Sequence, residues 1–334
     1  MSKKIRSSQQ GSSSSGKLDK DIPWKSKEVV FFKLRRSIPL SLQKGKPSEL
    51  QVLEHNTKLT TEATLSHLNK VCRRLNPVTT FAGNITKHMV TWRQITSDPW
   101  VLESVSGYHL EFEDDHMIPI QSSLPNPPML DQHDESIMNN EVERLVTKGA
   151  IKKMNHCPGE FLSNMFLVPK KTGDLRPVIN LKPLNEFVAK IHFKMEGIHL
   201  VQDLVKPGDY LATIDLKDAY FSIPIFPRDR KYFRFLLDKT LYQFTCLPFG
   251  YSLAPRVFTK MLKPAIATLH CQGICTITFI DDTLLIAATA EECSHDVSTT
   301  INLLESLGFH VNYEKSVLTP SQFISYLGFI IDTM

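Results

Sequence analysis

The second half of the chain carries the sharpest alternation of apolar and polar positions. From 134 to 148, Ile137, Met138, Val142, Leu145 and Val146 fall on one stripe, Lys148 sits in the last turn and Gly149 follows, which predicts a helix closed at that glycine. FLVPKKTGDLRPVINL (166–181) predicts two short strands joined by a basic turn around Thr172-Gly173-Asp174. LATIDL (211–216) predicts a strand, and KYFRFLLDKTLYQFT (231–245) a hairpin turning at Asp238-Lys239. A helix is predicted over 252–269, with Ser252 as its cap and Pro255 in its first turn. TITFIDDTLLIA (276–287) reads as strand, two-residue turn and strand, with Asp281-Asp282 at the tip. An amphipathic helix over 291–307 ends at Gly308, and FISYLGFII (323–331) adds strand. Strands and helices mix without a βαβ repeat, so the expected fold is α+β.

The first half is less regular. A helix-like pattern over 48–75 stops before Asn76-Pro77, where proline disfavours helix. Trp92, Trp100, Tyr108 and Phe112 predict a small apolar patch, and the four prolines of IPIQSSLPNPPMLD (118–131) an extended linker. The expected organisation is a basic, Ser-rich disordered arm (1–45), a small, partly helical upstream region (46–117), a Pro-rich linker (118–133) and a main domain (134–334).

Composition narrows the class. With 42% hydrophobic and 22% charged residues in 334, the chain is neither a collagen, a coiled-coil rod nor wholly disordered. No run of apolar residues is long enough for a membrane span, and the N-terminus lacks the apolar core of a secretory signal. The expected location is therefore intracellular, in cytoplasm or nucleus, with no membrane partner. Six scattered cysteines without a CxxC pair fit a reducing compartment rather than a disulfide framework or a zinc site. Asn84-Ile85-Thr86 matches a glycosylation acceptor only by chance on this reading. Charge is uneven: residues 1–44 hold 11 basic and 3 acidic residues, leaving 28 basic and 32 acidic in the remainder. Such an arm contacts nucleic acid or is a solvated tail, and charge alone does not choose between them.

Chemistry enters with the carboxylates. Asp281 and Asp282 repel each other and gain little as turn formers, so a cation nearby would offset the repulsion; taken alone, the pair also reads as an exposed acidic turn. Asp215 ends the apolar strand LATIDL. Carboxylates on separate strands are what two hard cations need in order to activate a hydroxyl and steady a leaving phosphate. Lys170, Lys171 and Arg176 gather beside Gly173, as a phosphate clamp or as a solvated turn.

Together these strings resemble the blocks of reverse transcriptases, in family order. They are LVPKKTGDLRPVINLKPLN (167–185), ATIDLKDAYFSIPI (212–225), LPFGYSLAPRVFTKML (247–262), FIDD (279–282), LGFHVNYEKS (307–316) and FISYLGFIID (323–332). The FKMEGI segment (193–198) and the LPFG…SLAPRVFTK wording are most similar to the DIRS group of retrotransposons, with Gypsy-type elements next. WRQITSDPWVLESVSGYHLEF (92–112) resembles the region upstream of the polymerase in DIRS-like polyproteins.

The resemblance implies a right-hand polymerase, with fingers and an antiparallel palm sheet. Asp215, Asp281 and Asp282 match the palm carboxylates that hold two Mg2+ ions. Tyr220 matches the aromatic gate against a ribose 2′-hydroxyl; as a bare residue it reads as a core aromatic. Arg176 and Lys170 or Lys171 match the triphosphate clamp, and Phe249 with Gly250 the lining of the nucleotide pocket. Lys315 matches a lysine proposed to protonate pyrophosphate, and Tyr326, Leu327 and Gly328 the primer grip. The implied partners are a primed RNA or DNA template, a dNTP and other parts of a retroelement polyprotein. Phe279 stands where the family often has tyrosine, and Met334 directly after the primer grip makes the thumb absent on this reading. The rival readings are a weak or inactive nucleic-acid-binding remnant and a magnesium nuclease. The nuclease explains neither Tyr220, nor the LPFG block, nor the basic hairpin.

Overall fold

The structure is a computed structural model that describes residues 31–33, 81–114, 119–121, 123–126, 130–169 and 173–334. Its elements run β1 (Phe31–Lys33), a 3-10 turn (Asn84–His88), α1 (Met89–Ile95), α2 (Pro99–Gly107), α3 (Gln132–Thr147), β2 (Ile151–Lys153), β3 (Leu162–Ser163), β4 (Met165–Pro169) and β5 (Leu175–Ile179). They continue with α4 (Lys182–Asn185), α5 (Ile198–Leu204), β6 (Tyr210–Asp215), β7 (Arg234–Leu237), β8 (Thr240–Phe244), α6 (Ala254–Cys271), β9 (Cys275–Phe279) and β10 (Asp282–Ala287). The last are α7 (Ala290–Ser306), β11 (Val317–Ser321), β12 (Phe323–Tyr326) and β13 (Phe329–Asp332). The helix pattern read over 48–75 and the basic arm of 1–45, β1 apart, lie outside the described residues.

One four-stranded antiparallel sheet, in the order β11-β6-β10-β9, organises the molecule. Strand alternation sends Ala212 and Ile214 of β6, with Leu285 and Ala287 of β10, to one face. There they join Phe258 and Leu262 of α6 and Val297 and Leu304 of α7 in the main core. Leu211 of β6 and Leu284 and Ile286 of β10 point the other way. They form a second core with Val201 of α5 and with Ile324, Tyr326 and Ile331 of the β12–β13 hairpin. That hairpin turns at Leu327-Gly328, both left-handed at φ 49° and 84°, which splits the single strand region read over 323–331 into two paired strands.

A second sheet, β2-β8-β7-β3, and the separate β4–β5 hairpin stand beside this layer, with α3 packed against β2 and β5. Asp131 caps α3 by accepting from the Asp134 N–H at 2.8 Å, which starts the helix earlier than the apolar stripe does. Met138, Val142 and Leu145 of the stripe are buried, whereas Val146 is exposed. The β7–β8 turn is Asp238-Lys239, both at positive φ, as read from the sequence. Ser252 does not cap α6: the helix begins at Ala254 after Leu253, and the Ser252 N–H is instead taken by the Asn185 side chain at 3.0 Å.

The four aromatics read as a small apolar patch belong to the main core or pack against it. Trp92 and Tyr108 are buried in it with Ile85, Val101 and Val105, while Trp100 and Phe112 pack on its edge. Trp92 meets the Phe309 ring edge-on at 5.9 Å and donates from Nε1 to the Leu307 carbonyl at 3.0 Å. Asn84 is buried too, and its amide donates to the Gly308 carbonyl at 3.0 Å. Gly308 has φ 92°, and a Cβ there would lie 2.9 Å from Ile85 Cα, so only glycine lets the two segments approach this closely. Of the linker, Gln121 is pinned at both ends of its amide by the Leu162 backbone, at 2.8 Å each. No helix among the described residues is long and apolar enough to cross a membrane.

Candidate active site

The carboxylates converge where the second core runs out. Asp215 ends β6 and Asp282 begins β10, and the two are direct cross-strand partners. Opposed residues of an antiparallel pair share a face, so both side chains fall on the face of the β12–β13 hairpin. The two-residue turn is Ile280-Asp281, one position earlier than the Asp281-Asp282 tip read from the sequence. Ile280 takes φ 56°, a left-handed conformation that a β-branched residue adopts at a cost. The Asp281 carbonyl accepts from the Leu216 N–H at 2.9 Å, which ties the turn to the end of β6.

A second turn holds Asp215 from the other side. Its N–H donates to Ser316 Oγ at 3.0 Å, its carbonyl accepts from the Asn312 N–H at 2.8 Å, and Ser316 Oγ donates back to the Asn312 carbonyl at 2.8 Å. This turn also carries Lys315, whose Nζ stands 3.8 Å from Asp215 Oδ2. Asp215 Oδ1 is buried without a hydrogen-bond partner. Burial, then the neighbouring Asp281 and Asp215 charges, push the Asp282 carboxyl up to about 6, against the pull of Lys315. Burial and Asp215 raise Asp281 as well.

An orphaned buried carboxylate oxygen beside two carboxyls that resist ionising together fits a divalent cation. Among the described residues, no group of three or more His, Cys, Asp and Glu side chains could hold an ion by itself. A magnesium ion does not require such a cage, because it commonly takes one or two carboxylates and completes its shell with substrate phosphates and water.

Tyr220 lies in the turn after β6, is 8% exposed, and packs against the rings of Phe249 at 5.0 Å and Phe258 at 5.8 Å. It is therefore a core aromatic and also a neighbour of the site: burial and then the Asp281 charge push its hydroxyl up to about 12. Asp218 at φ 50° opens this turn and is ion-paired with Lys148 at the end of α3.

A cleft of about 820 Å³ opens beside the turn, between α3, the β4–β5 hairpin and the LPFG loop. Arg176, Asp218, Phe249 and Gly250 line it; the three carboxylates do not. Arg176 is exposed on β5 opposite Val168, and Phe249 is half exposed. Lys170 and Lys171 lie outside the described residues. Gly250 has φ 97°, and its carbonyl accepts from the Asn185 side chain at 2.8 Å. Asn185 thus ties α4 to the loop that lines the cleft. Its role was missed in the sequence, where only its place at the end of LKPLN was visible.

The β12–β13 hairpin reaches the carboxylates from below. Tyr326 is buried, and its hydroxyl is shared between the carbonyls of Ile277 at 3.1 Å and Asp282 at 3.2 Å. Of the three residues assigned to a primer grip, Leu327 and Gly328 form the tip, while Tyr326 points into the protein.

Residues 168–331 match the family model described as "Reverse transcriptase (RNA-dependent DNA polymerase)". This segment is a reverse transcriptase domain. Its strands carry Asp215, Asp281 and Asp282 within the match, whereas α1, α2 and α3 precede it. The chain is similar to the Transposon Tf2-3 and Tf2-7 polyproteins of Schizosaccharomyces pombe (strain 972 / ATCC 24843), at 25% and 24% identity over 274 residues. Those alignments cover 80% of this chain and 19% of each polyprotein, so the chain spans about a fifth of their length. Among solved structures it is similar to the foamy viral protease-reverse transcriptase in complex with RNA/DNA hybrid, with TM-score 0.57 and 19% identity over 68% of this chain and 29% of that one. The same viral protein in complex with dsDNA also gives TM-score 0.57 at 19% identity, over 68% of this chain and 46% of the other. At that identity the likeness is one of fold, and it places the reverse transcriptase domain among mixed α and β structures with antiparallel sheets.

Proposed function

We propose that the chain is an RNA-directed DNA polymerase of a retroelement, joining a dNTP to a primer 3′-hydroxyl on an RNA or DNA template. The observation that carries this reading is the buried, unpartnered Asp215 Oδ1 on a carboxylate that is the cross-strand partner of Asp282 and that, by its charge, raises both Asp281 and Asp282. Asp215 and Asp281 would hold the Mg2+ ions, with Asp282 in support. Bound there, two such ions supply charge neutralisation at the attacking hydroxyl and at the departing phosphate.

The protein's own groups have separable tasks on this reading. Arg176 on the β5 wall of the cleft, with Lys170 or Lys171, binds the triphosphate. The Tyr220 ring, braced by Phe249 and Phe258, lies under the sugar and leaves no room for a 2′-hydroxyl. Phe249 and Gly250 shape the nucleotide pocket, and the Leu327-Gly328 tip orients the primer end. Lys315 is close enough to the carboxylates to deliver a proton to pyrophosphate. The FKMEGI and LPFG…SLAPRVFTK strings favour a DIRS-like source, and the similarity to transposon polyproteins supports a place within a larger polyprotein.

The test is primer extension on an RNA template with Mg2+, run beside Asp281→Asn. Extension by the parent and none by the variant is the expected result. A folded parent that binds primed template yet extends nothing would favour the binding-remnant reading.

A further inference from the structure

The turn that follows Asp215 is gripped from behind by residues outside the matched polymerase segment. The Gly83 N–H donates to the Phe221 carbonyl at 2.8 Å, and the Ala82 N–H to the Lys148 carbonyl at 3.1 Å. The Phe81 ring packs on His310 with centroids 4.3 Å apart and lies under Lys217 Nζ at 5.4 Å. Lys217 is fixed in turn by its N–H, which donates to the His310 carbonyl at 2.8 Å. Residues 81–83 therefore touch both ends of the turn 217–221 and Lys148, the residue just after α3 whose side chain pairs with Asp218. Downstream the segment is anchored: Asn84 bonds the Gly308 carbonyl, and Trp92 bonds that of Leu307. Gly83 has φ 66°, and a Cβ there would stand 3.2 Å from Pro224 Cβ, just past the same turn.

We propose that Phe81–Asn84 is a positioning strap for the turn Lys217–Phe221, so that nucleotide binding and sugar discrimination depend on a segment upstream of the polymerase blocks. The inference rests on the polymerase reading for its substrate, and on geometry alone for its mechanics. The strap touches no substrate. It acts by limiting how far Asp218 and Tyr220 move, since a turn held at only one end samples more positions than a turn held at both. A displacement of about 1 Å at such a site is enough to change rates by about a hundredfold.

The experiment uses the full chain with Phe81→Ala and Gly83→Ala, and Phe81→Tyr as the conservative variant. Two readouts are taken. Amide hydrogen exchange of residues 217–223 should quicken in both Ala variants relative to strands β9 and β10, and return to the parent rate in Phe81→Tyr. This readout needs no activity, so it stands if the parent proves not to polymerise. Where the parent extends primers, KM for dNTP should rise by about tenfold with kcat changed less, and ribonucleotide incorporation should increase relative to deoxynucleotide. Exchange at 217–223 equal to the parent in both Ala variants would overturn the strap. So would faster exchange with KM and discrimination unchanged in an active protein.

Discussion

The Tyr326 hydroxyl donates to the backbone carbonyl of Asp282 at 3.2 Å, sharing its proton with the Ile277 carbonyl at 3.1 Å. One buried side chain thus bolts the β12–β13 hairpin beneath both strands of the carboxylate hairpin. Burial, then the Asp282 charge, raise this hydroxyl far above the ordinary tyrosine value, so it stays a donor at every working pH. Tyr326→Phe keeps the ring and deletes the link. The loss leaves two backbone carbonyls without this partner, and unfolding stability should fall by about 1–2 kcal/mol in a denaturant titration. Primer extension should slow while dNTP affinity holds, because the link supports the carboxylates and not the cleft.

Divalent cations should stabilise the protein through the carboxylates. At a tenfold excess over the dissociation constant the gain is about 1.4 kcal/mol, visible as a raised Tm with Mg2+ over a chelator control. Asp281→Asn should lose most of that gain and should reduce extension by about a thousandfold or more, as expected when several kcal/mol of charge stabilisation disappear. An equal Mg2+ shift in parent and variant would show that the ions bind elsewhere.

Sugar choice should reside in the ring of Tyr220. Tyr220→Phe should discriminate like the parent, because the ring contacts with Phe249 and Phe258 remain. Tyr220→Ala should incorporate ribonucleotides more readily in a competition assay, at a stability loss of about 3 kcal/mol from the cavity it leaves. Unchanged discrimination in a folded Ala variant would reduce Tyr220 to a packing residue.

Acid should weaken the second sheet through Glu160. Arg234, only 3% exposed, donates to Glu160 Oε2 at 2.5 Å, to Gln243 at 2.8 Å and to the Asn155 carbonyl at 3.1 Å. Burial works to raise the Glu160 carboxyl, but hydrogen bonds from His156 and Arg234 outweigh it and leave it below the ordinary carboxylate value. A carboxyl depressed on folding contributes stability above its unfolded pKa and loses it as pH falls through the folded one. Glu160→Gln should therefore cost about 2 kcal/mol at neutral pH, less than for a fully buried pair because the carboxylate keeps some solvent contact. The difference from the parent should shrink with acidification in urea melts. A constant difference across that range would exclude the pair as its origin.

Most strands and helices of the main domain were legible because their apolar periods are local. The β7–β8 turn at Asp238-Lys239 and the end of α3 at Gly149 were read at the residue. Three things were hidden, each decided by residues far away in sequence. The loop ahead of α6 is held by Asn185, which takes the Ser252 N–H, and the helix begins only after Leu253, so Ser252 is not its cap. The carboxylate turn shifts to Ile280-Asp281, because cross-strand pairing with Asp215 draws Asp282 into β10. Trp92 and Tyr108 looked peripheral because their partners, Phe309 and Tyr251, lie more than a hundred residues downstream. The carboxylates were easier to pick out than their supports: Asp215, Asp281 and Asp282 stand out by charge in apolar surroundings, while Asn185 and Ser316 act through side-chain hydrogen bonds that leave no pattern.

The notch at Gly308 bears on how such a reverse transcriptase domain can be exchanged between longer chains. A side chain there would press on Ile85 and His88, so residue 308 and the upstream segment fit as lock and key. Recombination that brought the matched blocks of this chain behind an unrelated upstream region would set new side chains against a gap shaped for these. A graft made for engineering should therefore carry residues 81–112 along with the polymerase blocks, or rebuild the surface around Leu307-Gly308 to suit its new neighbour.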